Sequence, residues 1–416
     1  VAPAGAAASA SSPLPEPAWQ SSWEAKGDPY EADVQLVDAV LDPASGDVFA
    51  LGENSEVHDD HQLRRVDGET GATEWELPQP ASPYSQLTLD ADGGQLLLSH
   101  PVTVGGKRLL RLRALGLDGA ERWSRDLVEL GHVQEQVTDP ASGTTCATTV
   151  AKAGPAVGGR RTQRWSFACV GRDGEPVAQR SFRRTGVTQQ EELFLAVDPT
   201  RGRWYAAASR EVRGQGSTVE LQALDRRGRT RWQRTLSWSG RRFGSVGALT
   251  VDPARGRVLL GTAVHGGNRA NSTTLTVWNS HGRRHAQRTW RGRNVDTITD
   301  LGVSADGRHY VVASVFARRG GAVADLRPGL RPRWTKRHGR GGLDDLDLVV
   351  DDARRQVLAS GGDVAAYRWT GSRAWGGSPS RAYFGLDLLL DAGRGRLLAA
   401  WQEEEWPAAH LTAWRL

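Results

Sequence analysis

The chain has 416 residues, a formal net charge of +5, 49 Gly, two Cys and no Met. That length exceeds the usual single-domain range, and the abundance of Gly without any long helical periodicity argues against a helical protein and for many short strands. No run of about 18 apolar residues occurs, so no helical membrane span is expected.

The N-terminal stretch VAPAGAAASASSPLPEP is an Ala/Ser/Pro tract and reads as a flexible segment over residues 1–17. Its composition suits the start of an exported chain after signal removal, or a linker left by truncation. Residues 18–26, AWQSSWEAK, read as a strand with no partner close in sequence. The chain then returns eight times to an apolar run, an Asp or Ser, a turn and a second apolar run. The first instance is VLDPASGDVFALG and the last LLLDAGRGRLLAA. Their anchors are Asp42, Asp90, Asp139, Asp198, Asp252, Ser304, Asp351 and Asp391. A period of about 45 residues with several short strands per unit is a β-propeller pattern.

Each unit reads as four strands, a to d. In the second they are QLTLD, QLLLSH, RLLRLRALGLDG and ERWSRDL. The c–d turn carries a Gly followed four residues later by Trp, at Gly71/Trp75, Gly119/Trp123, Gly228/Trp232 and Gly371/Trp375. The sixth unit slips by one, with Gly329 and Trp334, and Ala178 and Ala286 take the Trp place in the third and fifth. Gly suits a left-handed turn position, and the indole is expected to pack between neighbouring blades.

The first unit's DGETGATEW, Asp67 to Trp75, resembles the D-x-x-T-G-x-x-x-W signature of PQQ-like propeller repeats. Such repeats occur in quinoprotein alcohol dehydrogenases and in propeller lipoproteins of outer-membrane assembly. The resemblance implies the propeller fold. Its dehydrogenase members hold a quinone with calcium, often beside a disulfide of adjacent cysteines. Here Cys146 and Cys169 are far apart and no calcium-and-quinone constellation can be placed, so no cofactor is expected. The lipidated N-terminal Cys of the lipoproteins has no counterpart near Val1. Fold resemblance carries no function by itself.

After Asp391 the remaining residues supply RLLAAW and HLTAWRL as strands b and c, and strand d is missing. Pairing residues 18–26 with residues 408–416 would complete the last blade and remove the exposed sheet edges. The fold expected is all-β, a single eight-bladed β-propeller of four-stranded antiparallel blades over residues 18–416, its last blade closed by the N-terminal strand. The alternative is a seven-bladed ring with the N-terminal segment loose. Cys146 and Cys169 lie symmetrically about AGPAVGG. On paired strands they would face each other at disulfide distance, the alternative being two buried free thiols. A disulfide would fit a secreted or cell-envelope chain.

Charge suggests where function sits. Four residues before the anchors stand Asp38, Gln86, Glu135, Phe194, Ala248, Asp300, Asp347 and Asp387. In a propeller these positions read as the first residues of strand a, at the top mouth of the channel. Clustered carboxylates there should raise one another's pKa and attract a cation, a metal ion or sugar hydroxyls. The competing reading is that each Asp bonds backbone amides between blades. The b–c loops add ENSEVHDDH, with His58, Asp59, Asp60 and His61 as weak metal candidates, and QEEEWP, with Glu403, Glu404, Glu405 and Trp406 as a rim for stacking a sugar. The opposite face, at the a–b and c–d turns, is rich in Arg, yet lacks evident stacking platforms, so nucleic acid is not the expected partner. No G-x-S-x-G, H-E-x-x-H or P-loop occurs. The sequence therefore points to a monomeric, non-catalytic binding or scaffold propeller for a protein, carbohydrate, cationic or metal ligand. The alternative is a secreted carbohydrate-active hydrolase or lyase using channel-mouth carboxylates.

Overall fold

The computed structural model describes residues 12–24, 34–54, 61–79, 85–129, 132–152, 161–187, 193–212, 216–239, 243–265, 271–291, 297–316, 320–338, 346–361, 363–377, 382–403 and 408–416. They form eight antiparallel blades of four strands each and no helix. In blade 1 the strands are Val34–Leu41, Val48–Asn54, His61–Val66 and Thr73–Gln79, as a to d. Strand a of each blade touches strand a of the next all the way round, blade 8 to blade 1 included, which makes an inner ring. Among the described residues no helix is long and apolar enough to cross a membrane.

The ring closes as the unpaired Trp strand foretold. Pro17–Glu24 runs antiparallel to Ala408–Arg415, with Trp19 opposite Ala413 and Trp23 opposite Ala409, and becomes strand d of blade 8. Trp19 and Trp23 bury their rings with Val48, Ala50, Leu398 and Leu411, so this strand cements blades 8 and 1 together. Just before it, Ser12 bridges to Trp375 on the edge of blade 7, and Leu14 packs into the core between blades 7 and 8.

Burial follows position in the blade. Strand b of blade 5, Arg257–His265, is buried along nearly its whole length, as a strand covered on both faces should be. Strand d of the same blade, Arg284–Arg291, alternates exposed and half-buried residues because only one of its faces meets a neighbour. Blade-to-blade packing is the core: Tyr205, Ala207 and Leu221 of blade 4 interleave with Val258, Leu260 and Trp278 of blade 5. Cys146 and Cys169 face each other on strands b and c of blade 3 and form a disulfide with Cα atoms 4.0 Å apart, inside the cluster that joins blade 3 to blade 4.

The Gly/Trp repeat is a clasp between blades. The indole nitrogens of Trp19, Trp75, Trp123, Trp232 and Trp334 each donate to a carbonyl of the next blade's c–d turn, at Gly68, Leu117, Arg172, Ser280 and Trp369. The ring lies over that turn's left-handed Gly: a Cβ on Gly282 would sit 2.7 Å from Trp232. In blade 6 the left-handed position is held by Leu330, φ 62°, and not by Gly329, which explains the slipped spacing to Trp334. Where Ala178 replaces the Trp, Phe167 approaches Gly228 and fills part of the space.

Candidate functional site

The acidic positions are not all first residues of their strands. Strand a begins earlier than the sequence suggests in blades 1, 3, 6 and 8, at Val34, His132, Thr297 and Ala382. Asp38, Glu135, Asp300 and Asp387 each follow a break in strand register, between Leu36 and Asp38, Val133 and Glu135, Ile298 and Asp300, and Phe384 and Asp387. Such a bulge bends the strand and re-aims the side chain. It was not legible because a bulge leaves the apolar alternation intact on either side. Asp347 alone keeps the expected place, directly before strand a of blade 7, Leu348–Asp351.

Three of these carboxylates make the same pair of bonds. Asp38 accepts from the amides of Ala39 at 2.8 Å and Leu87 at 2.7 Å. Asp300 accepts from Leu301 at 2.6 Å and Leu348 at 2.8 Å. Asp347 accepts from Leu348 and Leu388, both at 2.7 Å. One oxygen takes the residue's own following amide and the other takes the equivalent amide of the next blade. The Asp residues thus staple blade 1 to 2, 6 to 7 and 7 to 8. In blade 2, Gln86 reaches blade 3 differently, donating to the carbonyl of Gln134 at 3.0 Å.

Their electrostatics are coupled. Burial pushes the Asp38 carboxyl up to about 7, with its amide bonds opposing and Asp387 adding repulsion. Glu135 rises to about 8, chiefly through burial and then through the charge of Asp38. Asp347 rises to about 8, again by burial first and then by Asp300. Asp300 is raised by burial, with Asp347 as its side-chain hydrogen-bonding neighbour. The fold therefore brings Asp387 of blade 8 within electrostatic reach of Asp38 and Asp38 within reach of Glu135 of blade 3, and sets Asp300 against Asp347. Such groups hold or release protons near neutral pH and favour a cation among them.

His58, Asp59 and Asp60, with Glu404, Glu405 and Trp406, lie outside the described residues. His61 opens strand c of blade 1 and Glu403 ends strand b of blade 8. Trp401 is a core residue: it is 1% exposed, stacks on His410 with ring centres 4.2 Å apart, and donates to Thr412. Among the described residues no group of three or more His, Cys, Asp or Glu is placed to hold a metal ion.

On the opposite face the anchor residues explain themselves. Asp198, Asp252, Asp351 and Asp391 are buried and accept amide bonds from Arg201, Arg255, Arg354 and Arg394, closing the a–b turns. Those same Arg side chains return to the anchor carboxylate. Arg201, Arg255 and Arg394 also reach a carbonyl of the next blade's turn, at Pro253, Asp306 and Pro43. Arg172 clamps Asp90 with two bonds from 82 residues away. Much of the basic face inferred from sequence is therefore a set of blade clamps, each beside its own carboxylate.

No protein-family model matches the chain, and no curated protein does. Solved structures do resemble it. It is similar to the C-terminal WD40 domain of Sif2, with TM-score 0.60 and 10% identity over 95% of this chain and 100% of that one. Sqt1 of Chaetomium thermophilum gives 0.59 and 12% over 93% and 98%. The Dos1 propeller gives 0.57 and 7% over 95% of each chain. At these identities the likeness establishes the propeller fold; it does not establish the PQQ-like family.

Proposed function

We propose that this chain is a non-catalytic binding propeller of the cell envelope or extracellular space, and that the acidic channel mouth receives a cationic segment of a protein partner. The observation that carries this is the convergence of Asp38, Glu135 and Asp387 from three blades, each raising another's pKa or having its own raised. A Lys or Arg side chain entering there would relieve that repulsion and gain charge-assisted hydrogen bonds. The amide staples support a scaffold: one oxygen of each of Asp38, Asp300 and Asp347 ties its blade to the next while the other is held by its own following amide, which makes the mouth rigid and pre-organised. The buried cystine fits an oxidising compartment.

A bound metal ion and a hydroxyl-rich sugar are weaker readings of the same mouth. The hydrolase reading needs two carboxyls about 5 Å or more apart around a scissile bond. Asp300 and Asp347 are side-chain hydrogen-bonding neighbours, which argues against that pair in the role.

The test pairs Glu135→Gln with Asp387→Asn in one variant, sparing the three staple residues. A fluorescent oligolysine peptide should bind the wild-type protein and bind the double variant about tenfold or more weakly, with a thermal melt no lower than that of the wild type. Equal binding by both proteins would overturn the reading. Turnover of a polysaccharide by the wild-type protein, lost in the variant, would replace it with the hydrolase.

A further inference from the structure

The outermost strands divide the circumference by charge. Strand d of blades 3, 4, 5 and 6 reads PVAQRSFRRTGV, TRWQRTLSW, RHAQRTWR and PRWTKRH, over Pro176–Val187, Thr230–Trp238, Arg284–Arg291 and Pro332–His338. All four carry Arg or Lys and none carries Asp or Glu. Strand d of blades 8, 1 and 2 reads PAWQSSWE, TEWELPQ and ERWSRDLVE, which is acidic or mixed. Half the rim is thus basic while the whole chain has a net charge of only +5. Strand d of blade 7, Arg373–Gly377, carries one Arg and no acid, so the run without Asp or Glu spans five successive blades, and its basic residues are densest in blades 3 to 6. Charged residues on an edge strand are a general guard against edge-to-edge pairing. That guard works with either sign, so it does not explain such a run.

The charges stay available. Arg234 and Arg288 bond the carbonyls of Gly282 and Leu330 in the next blade, which fixes their direction without cancelling them. Arg284 bonds the neutral Gln287. Lys336 and Arg337 are exposed, as is Arg291. Among the described residues Arg231 lies 3.6 Å from Asp225 and Arg333 3.7 Å from Asp325. Half-buried Trp238 and Trp290 lie among the Arg residues, and the Arg288 guanidinium sits 5.2 Å over the Trp290 ring.

We propose that the outer rim of blades 3 to 6 is a docking surface for a linear carboxylated polysaccharide. Planar guanidinium groups match carboxylates two bonds at a time, and the chain of negative charge in a polyuronate matches a basic arc that runs from blade to blade. Indole faces beside those groups suit the apolar faces of sugar rings. This assignment rests on the oxidising compartment proposed above, with which the buried cystine fits.

The probe is soluble polygalacturonate, with double-stranded DNA and poly-glutamate as competitors of equal charge. The variant reverses three exposed charges, Arg291→Glu, Lys336→Glu and Arg337→Glu. Each exposed ion pair contributes a factor of about two to five, so the triple reversal should weaken polygalacturonate binding about tenfold or more. Binding to the wild-type protein should weaken as salt rises from about 20 mM to about 300 mM. Glu135→Gln/Asp387→Asn, at the channel mouth, should leave it unchanged. Absence of polygalacturonate binding by the wild-type protein, equal binding by the triple variant at an unchanged melt, or stronger binding to DNA or poly-glutamate would each overturn the assignment. Should the triple variant fail to fold, Lys336→Gln with Arg337→Gln gives the same reading at about a fewfold effect.

Discussion

Asp38, Asp300 and Asp347 each hold two backbone amides from two blades, and that pattern could be drawn from the sequence only in outline. An Asp ahead of an apolar strand looks the same whether it faces a ligand or an amide. What separates the cases is the next blade's amide, 41 residues away for Asp347 and 49 for Asp38. The raised pKa values have a consequence for stability. In the unfolded chain these carboxyls titrate near 4, and in the fold Asp38 titrates at about 7 and Glu135 and Asp347 at about 8. Between those limits the folded protein binds more protons than the unfolded chain, so stability falls as pH rises from about 4 to about 8. Glu135→Gln removes one such group without removing an amide staple. Denaturant melts should show it equal to wild type at pH 4 and more stable at pH 9, by up to about 5 kcal/mol. No gain on the alkaline side would mean that Glu135 is solvated in the folded protein.

Strands, turns and blades were the most legible level. The Asp anchors recur because an Asp side chain closes the a–b turn by accepting its amides, as Asp42 does from Ala44 and Ser45. The cysteine pairing was legible because symmetric placement about a hairpin fixes cross-strand register, and Cys146 does lie opposite Cys169. The identity of the left-handed residue in blade 6 was not, since Gly329 looked like the natural occupant and Leu330 holds the position. Nor were the Arg clamps, because Arg172 and Asp90 meet only through blade packing. The Trp clasp should be the energetic unit of the seams that carry it. Trp232 covers Gly282, donates to Ser280 at 2.9 Å and packs beside Tyr205 with ring centres 5.9 Å apart. Trp232→Ala should cost about 3 kcal/mol, from lost packing and an unbonded carbonyl. Urea titration would show this as a lower midpoint at an unchanged slope. A change under about 0.5 kcal/mol would mean that the seam is held by the aliphatic core alone.

At the scale of the whole molecule, each blade buries its faces against two others, so stability depends on the ring being closed. Closure also sets the charge layout, because it brings blade 8 beside blade 1 and Asp387 within reach of Asp38. The acidic mouth and the basic outer arc then occupy different parts of one rigid body, the first legible from strand spacing and the second only once the outer strands are aligned around the ring. Both depend on the pairing of Pro17–Glu24 with Ala408–Arg415. The direct measurement is a thermal melt of the protein lacking residues 1–28, alone and with a synthetic peptide of residues 12–27 added in excess. Loss of strand d from blade 8 exposes the sheet edge of Ala408–Arg415 and the pocket of Trp19 and Trp23. The melting temperature should fall by about 10 °C or more, or the protein should aggregate, and the peptide should restore it. An unchanged melting temperature without the segment would contradict a ring closed by its N-terminal strand.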